Sequence, residues 1–274
     1  MIKAAVIGHP ISHSKSPLIH NYWIAQHGLE GSYEAIDIPC ETLVQDIAKL
    51  VEGGFAGFNV TIPHKEAVYE LCDELGETAH QIGAVNTVQI KGGKLIGTNT
   101  DVFGFIHNIK SEESEFRFDS GAAVVLGAGG ASRAVIHGLL QEGAPEVIIC
   151  NRTASKAEVI KGSCIAPERV TIAPWDRRDE VLENAALLVN TTALGMKGQA
   201  PLEVDLSLLP QHGLVTDIIY TPLETDLLKA ARARGNKTVT GIGMLLHQAR
   251  PAFRAWFGVM PDVTPELRSK VLAA

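Results

Sequence analysis

Arginine is missing from the first 101 of the 274 residues, where six lysines stand against twelve aspartates and glutamates for a net charge of −6. Every arginine falls in residues 102 to 274, whose net charge is only −1. The total of −7 argues against nucleic acid or an anionic membrane as a partner, and neither is expected. No run of about 18 apolar residues is present, so no spanning helix is expected. Met1-Ile2-Lys3 leads straight into Ala4-Ala5-Val6-Ile7 without a signal-peptide pattern, and the expected location is cytoplasmic. The four cysteines, Cys40, Cys72, Cys150 and Cys164, form no C-x-x-C pair and lie in apolar stretches, which reads as reduced, buried thiols. Among ten histidines, no H-x-x-x-H helix pattern has a third ligand, and His9 and His13 are separated by Pro10. No metal site is expected.

What is present suffices for a large core: 46% hydrophobic and 20% charged residues, over a length that suits one large domain or two ordinary ones. The first hundred residues alternate strand and helix signals. Strands are expected at Ala4 to Gly8, Tyr33 to Ile38 and Gly57 to Thr61. Helices are expected from Ser16, with Ser16 as N-cap and Pro17 at the first helical position, across Glu41 to Val51, and from Pro63 to about Leu75. Ala84 to Thr98, centred on Lys91-Gly92-Gly93-Lys94, reads as a hairpin. This βαβαβ opening implies a mixed, mostly parallel sheet. Ser111 to Glu115 is polar and acidic and reads as an interdomain or surface loop. From Ala122 a strand and helix alternation resumes and continues to Thr240, the pattern of a doubly wound nucleotide-binding domain, and a mostly helical tail follows from Met244.

Gly127-Ala128-Gly129-Gly130-Ala131-Ser132 directly follows the apolar run Ala122 to Leu126 and opens a helix. Glycines at such a turn let the backbone approach a pyrophosphate, whose charge suits the free N–H groups of the helix start. Ser132 takes the place of the fingerprint's third glycine. The strand Val147 to Cys150 ends in Asn151-Arg152-Thr153, with Lys156 one turn on, where a cofactor lacking a 2′-phosphate would call for a carboxylate. Arg152, Thr153 and Lys156 suit a phosphate dianion, so NADP is expected over NAD.

Four polar clusters in the first 101 residues sit where strands end: Ser12 to Pro17, Asn59 to Lys65, Gly83 to Thr87 and Gly97 to Asp101. Ligands of open α/β sheets bind outside the carboxyl ends of strands, so these clusters are placed to converge on one crevice. Their hydroxyls, carboxamides, one ammonium and one carboxylate fit a small polyhydroxylated ligand, with Lys65 and Asp101 as a proton-handling pair. On residue type alone, Lys65 also reads as an exposed lysine in a first helical turn and Asp101 as an N-cap.

With its S-x-S-x-S-P at Ser12 to Pro17, N-V-T-x-P-x-K at Asn59 to Lys65, G-A-V-N-T at Gly83 to Thr87 and N-T-D at Asn99 to Asp101, the chain closely resembles the NADP-dependent shikimate dehydrogenase family. G-A-G-G-A at Gly127 to Ala131, N-R-T at Asn151 to Thr153 and G-x-G-M-x-x-x-Q from Gly241 to Gln248 extend the resemblance over nearly the whole chain. It implies reduction of 3-dehydroshikimate to shikimate in aromatic amino-acid biosynthesis. It implies that Ser14 and Ser16, with Tyr220, hold the substrate carboxylate, that Asn59, Thr61, Asn86 and Gln248 bind ring hydroxyls, and that Lys65 and Asp101 are catalytic. Gly127, Ala128, Gly129, Gly130, Ala131, Asn151, Arg152, Thr153, Lys156, Ile218 and Gly241 would line NADP, with Met244 near the nicotinamide and Glu77 at a cofactor-side position. The implied architecture is an α/β substrate-binding and catalytic domain of residues 1–103 joined by C-terminal helices 244–274, an NADP-binding Rossmann-type domain of residues 104–243, and a cleft between them. A monomer or homodimer is expected.

Two departures stand out. Val102 follows Asp101 where the family usually has glycine, and a β-branched residue restricts the backbone there. Lys156 stands where the family often has arginine, which keeps the charge but loses bidentate geometry. A quinate or dual quinate/shikimate dehydrogenase, and a catalytically silent NADP or metabolite sensor, are the competing readings.

Overall fold

The computed structural model describes all 274 residues. In chain order the elements are β1 (Ile2–Gly8), α1 (Ser16–Gln26), β2 (Gly31–Asp37), α2 (Leu43–Glu52), β3 (Gly57–Val60), α3 (Lys65–Leu71), β4 (Glu74–Leu75), α4 (Glu77–Ile82), β5 (Thr87–Lys91) and β6 (Lys94–Thr98). Then come α5 (Asp101–Glu112), β7 (Ala122–Leu126), α6 (Gly130–Gln141), β8 (Val147–Asn151), α7 (Ala154–Ser163), β9 (Val170–Pro174), β10 (Ala185–Asn190), β11 (Leu214–Asp217), α8 (Asp226–Ala233), β12 (Thr238–Val239), α9 (Ile242–Phe257) and α10 (Pro265–Ala273). The chain divides into two compact units, Met1–Thr100 with Leu246–Ala274, and Asp101–Leu245.

The first unit has one sheet in the order β2-β1-β3-β5-β6-β4. Its strands are parallel except β5, which runs against both β3 and β6. The carboxyl ends of β3 and β6 and the amino end of β5 therefore share one edge, with Asn59 in register with Thr87 and Thr87 with Thr98. Apolar residues of the strands, among them Ala5, Ile7, Phe58, Val60 and Val88, pack with Leu43, Ile47 and Leu50 of α2. The inward i, i+4, i+7 spacing of those leucines and isoleucine is what makes α2 amphipathic.

A second, aromatic cluster joins the C-terminal helices to this unit. The Trp256 indole donates to the Val88 carbonyl at 3.0 Å, and Gln89 donates to the Ala255 carbonyl at 2.6 Å. Gly57 makes the approach possible, since a Cβ there would collide with the Trp256 ring and the Val88 carbonyl. Within the cluster the His20 ring stacks on Tyr33 with centroids 4.0 Å apart, beside Trp23, Phe253 and Trp256. Burial lowers the His20 pKa from the usual 6.5 to about 3, because a charged ring there would be stripped of water among aromatic neighbours.

The second unit's sheet is parallel throughout, in the order β12-β11-β10-β7-β8-β9. Counted from β7 this is the doubly wound Rossmann order, with its reversal point between β7 and β10. Val124, Leu126, Leu188 and Val215 are fully buried, as strands covered on both faces require. Gly138 lets α5 and α6 close up: a Cβ would lie 3.0 Å from Ile106 and 3.2 Å from Val102.

Several sequence expectations need correction. Ser16 is not an N-cap; it is the first residue of α1, whose start has no side-chain cap. The helix expected from Pro63 begins at Lys65 and ends at Leu71, and the strand β4 and helix α4 follow within the stretch read as helix and connection. The acidic segment expected as a loop from Ser111 is helical through Glu112, because α5 runs to that residue. Val102 does not follow a loop: it is the second residue of α5 and is buried against Gly138, so its branch serves packing rather than restricting a turn. All four cysteines are free thiols, but only Cys150 is buried, and Cys40 is exposed. Burial pushes the Cys150 thiol up to about 12 and those of Cys72 and Cys164 to about 11, which leaves these three inert at neutral pH.

The His20 shift has a testable sign. Below pH 6.5 the unfolded chain takes up a proton at His20 that the folded chain cannot until about pH 3, so folding stability falls with pH across that window. Between pH 7 and pH 5 this amounts to about 2 kcal/mol, because each pH unit below the ordinary histidine value contributes ~1.4 kcal/mol. His20→Phe, which keeps the stack on Tyr33, is expected to remove that much of the pH dependence in urea unfolding. Identical slopes for the two proteins would sink the account.

Candidate active site

At the edge shared by β3, β5 and β6, short polar side chains replace the ladder. Asn59 Nδ2 donates to the Asn86 carbonyl at 3.1 Å and to Thr87 Oγ1 at 3.0 Å, which uses both of its protons. The Tyr33 hydroxyl donates to Asn59 Oδ1 at 2.7 Å. What Asn59 has left for a ligand is the second lone pair of that oxygen, so it can accept from a hydroxyl but not donate to one. Asn86 is held through both sides of its amide. Its Oδ1 accepts from the Thr100 N–H at 2.8 Å and from the hydroxyls of Thr87 at 3.0 Å and Thr100 at 3.1 Å. Its Nδ2 in turn donates to Thr100 Oγ1 at 3.0 Å, so both sides of the amide are tied to the end of β6. Asn99 donates to the Ala84 carbonyl at 3.0 Å, tying the turn before β5 to the end of β6.

Lys65 opens α3 half-buried, with its backbone carbonyl accepting from the Val85 N–H at 3.0 Å. Its neighbour His64 is buried and donates from Nε2 to the Ile38 carbonyl at 2.6 Å, which pins the start of the helix. Thr61 is held through its N–H to the Ile7 carbonyl at 3.0 Å. Ser14 Oγ accepts from the Ser16 N–H at 3.3 Å, so the two serines form one turn at the start of α1. Asp101, 5% exposed, is the first residue of α5. Gln248 lies in α9, and Glu77 is exposed at the start of α4, where Gln81 donates to its carboxylate at 3.2 Å.

In the second unit, a cavity of about 350 Å³ opens at the reversal point of the sheet. It gathers Gly127, Ala128, Gly129, Asn151, Arg152, Thr153 and Lys156 of the expected cofactor set. Gly130 and Ala131 continue into the first turn of α6. Ile218 and Gly241 are brought together elsewhere in the unit, where a Cβ on Gly241 would strike the Ile218 carbonyl, and the Met244 N–H donates to the Gly241 carbonyl at 3.1 Å. Tyr220 is half-buried, and desolvation pushes its phenol pKa up. The cavity also takes in residues that pattern reading missed: Trp175, Thr191, Thr192, Ala193, Leu194 and Gln199. The segment from Thr191 follows β10, so the rule that ligands sit past the strand ends at the reversal point was the available signal.

The glycine turn is built to stay open. Gly127 has φ +107 and no room for a Cβ, which would lie 2.8 Å from Thr191 Oγ1, whereas Gly129 and Gly130 have nothing within 4 Å of that position. Ser132 has a defined part in the turn. Thr191 Oγ1 donates to the Leu126 carbonyl at 2.6 Å, so Ser132 Oγ is the donor of their 2.7 Å contact and accepts from the Gly129 N–H at 2.9 Å. At α7, Thr153 stands at the cap position with no capping bond, no acidic residue is in the first turn, and Arg152 and Lys156 are exposed there. Cations at a helix N-terminus are unfavourable unless an anion joins them. The residues present thus fit a dinucleotide with its pyrophosphate on the glycine turn and an extra phosphate at Arg152.

Fold and site together define a protein of the dinucleotide-dependent class, with a Rossmann unit and a second α/β unit carrying hydroxyl and carboxamide side chains. The family models that match are the shikimate dehydrogenase substrate-binding domain at residues 6–88, shikimate/quinate 5-dehydrogenase at 110–196, and the shikimate 5′-dehydrogenase C-terminal domain at 241–265. The shikimate dehydrogenase (NADP(+)) of Rhodospirillum rubrum is 50% identical over 98% of this chain and 96% of its own length, and that of Mesorhizobium japonicum is 52% identical over 99% and 96%. A solved structure from Thermus thermophilus, shikimate 5-dehydrogenase in complex with NADP(H) and shikimate, has a TM-score of 0.86 at 38% identity, covering 100% of this chain and 99% of that one. Quinate dehydrogenase from Corynebacterium glutamicum in complex with NAD has a TM-score of 0.91 at 33% identity, with coverage of 100% and 99%. The chain belongs to the shikimate dehydrogenase family.

Replacing Arg152 by glutamine is expected to raise the KM for NADP⁺ by at least tenfold, since a charge-assisted phosphate bond contributes about 1.5–3 kcal/mol. The KM for NAD⁺, which lacks that phosphate, should stay within about twofold. Equal changes for both cofactors would remove Arg152 from the phosphate site.

Proposed function

We propose that the chain catalyses the reversible NADPH-dependent reduction of 3-dehydroshikimate to shikimate, the reaction that serves aromatic amino-acid biosynthesis. The observation that carries the reading is the pairing of two sites in one chain. One is a cation-lined dinucleotide cavity without a carboxylate after β8, and the other is a strand edge whose polar groups have defined donor and acceptor capacity. The family membership and the names of relatives at about half identity over nearly the full length support it.

NADPH supplies the hydride that reduces the ketone carbon. The chain's own residues do the rest. Ser14 and Ser16, with Tyr220, hold the substrate carboxylate, and Asn59, Thr61, Asn86 and Gln248 hold ring hydroxyls. In this assignment Asn59 Oδ1 accepts a hydroxyl proton, since both of its amide protons are already donated within the chain. Lys65 Nζ, as ammonium, delivers a proton to the ketone oxygen, and the Asp101 carboxylate orients it and the neighbouring hydroxyl. A positioned general acid is worth ~10² to 10⁴ in rate. Gly127 to Ala131, Asn151 to Lys156, Ile218 and Gly241 line NADP, Met244 lies by the nicotinamide, and Glu77 takes a cofactor-side position. Residues 1–103 with 244–274 serve as the substrate-binding and catalytic domain and 104–243 as the NADP domain. The protein works as a monomer or homodimer in the cytoplasm, and no helix is long and apolar enough to cross a membrane.

Spectrophotometric assay of NADP⁺ reduction with shikimate tests the reading. Activity with quinate and NAD⁺ alone would replace it by the quinate reading, and no activity would leave a sensor. Lys65→Ala should cut turnover at least a hundredfold with little change in substrate affinity; near-normal turnover would end its assignment as the acid. Ser14→Ala and Ser16→Ala should each weaken shikimate binding, and unchanged Michaelis constants in both would count against the serine clamp.

A further inference from the structure

Asp217, the last residue of β11, is wholly buried and has no cation among its hydrogen-bond partners. An isolated carboxylate in such a place is costly, and desolvation raises its pKa. Four contacts offset the cost. The Ile219 N–H donates to Oδ1 at 2.9 Å, the Thr225 hydroxyl to Oδ2 at 2.8 Å, and Asn190 Nδ2 reaches both oxygens at 3.1 Å. Asn190, the last residue of β10, is equally buried and turns its Oδ1 to the Thr192 N–H at 3.0 Å and the Thr192 hydroxyl at 2.8 Å. Its Nδ2 also reaches the Leu194 carbonyl at 3.2 Å.

The network therefore joins two neighbouring strand ends and the residue that precedes α8, Thr225. One end leads into Thr192 and Leu194, which line the dinucleotide cavity; the other leads into Ile218 and Tyr220. A core role alone would be met by an apolar pair, since the other buried residues of β10 and β11, Thr216 apart, are apolar. The donors taken up by Asp217 come from Asn190, which holds Thr192 and Leu194 of the cavity wall, and from Ile219 and Thr225 of the segment after β11.

We propose that Asp217 is a positioning residue for dinucleotide binding, its carboxylate holding the segment after β11 directly and the Thr192–Leu194 cavity wall through Asn190. An asparagine at 217 cannot reproduce this. Its amide nitrogen would face the Asn190 Nδ2 or the Ile219 N–H, and turning Asn190 to compensate would abandon both bonds to Thr192. The cavity wall would then be disordered for part of the time before a ligand arrives, and binding would carry the cost of ordering it.

The inference rests on the proposed NADP reading, and the test separates the two. NADPH is titrated into wild type, Asp217→Asn and Thr225→Val by fluorescence, alongside thermal unfolding and amide hydrogen exchange without cofactor. Failure of wild type to bind NADPH removes the functional reading itself. With wild type binding, Asp217→Asn is expected to raise the NADPH Kd about tenfold and to speed exchange at the Ile219 and Thr192 amides, while kcat at saturating NADP⁺ changes less than about threefold. Thr225→Val, which deletes one of the donors and keeps the shape, should raise the Kd roughly two- to threefold; it decides the matter if Asp217→Asn does not fold. A Kd unchanged from wild type in the folded variants, with only the unfolding temperature lowered, would make Asp217 a stabilising residue and overturn the proposal.

Discussion

A strand that leaves a parallel sheet leaves backbone donors and acceptors without ladder partners, and their pairing by short amide and hydroxyl side chains is the constraint on which the rest of this structure depends. Both sheets meet it in the same way. At the first, Asn59 and Asn86 bond across β3, β5 and the end of β6. At the second, Asn190 and Asp217 bond across the ends of β10 and β11. These side chains are rigid because every group that would let them rotate is already bonded, so what remains of their hydrogen-bonding capacity points to one kind of partner.

That constraint also explains the uneven distribution of charge. The strand edge lies in the arginine-free first 101 residues and is populated by neutral donors and acceptors, with Lys65 as the cation next to it in sequence. Hydroxyls and carboxamides select by direction, whereas a guanidinium attracts any anion from a distance. The second unit has a different task. A phosphate is a dense charge that the glycine turn and the helix start accept only in part, and Arg152 and Lys156 complete its neutralisation.

Much of the fold was legible along the chain. The hairpin of β5 and β6 follows from Gly92 and Gly93, whose φ values of +59 and +82 close the turn between two alternating segments. The run Ala122 to Leu126, the glycine turn and α6 fell where strand, turn and helix signals placed them. The two-residue β4 and the six-residue α4 escaped because elements so short have no measurable period, and Glu77 to Ile82 owes its helix to Gly76 and Gly83 at its ends. Ser16 looked like a cap by residue type, yet its own N–H is taken by Ser14 and the helix has already begun at it.

The sequence by itself determined the two α/β patterns, the open glycine turn and the missing carboxylate after β8, because each is a local matter of period, Cβ sterics or side-chain charge. Only the tertiary structure decided which groups meet. Lateral strand order brings Thr191 against Gly127 and Ser132, and places Asn190 beside Asp217 across 27 residues of chain. It likewise determines that Asn59 keeps only an acceptor for a ligand, since its donors are consumed by residues 27 and 28 positions away. Hydrogen-bond capacity is taken up between strands, and no periodicity along one strand records how much of it is left.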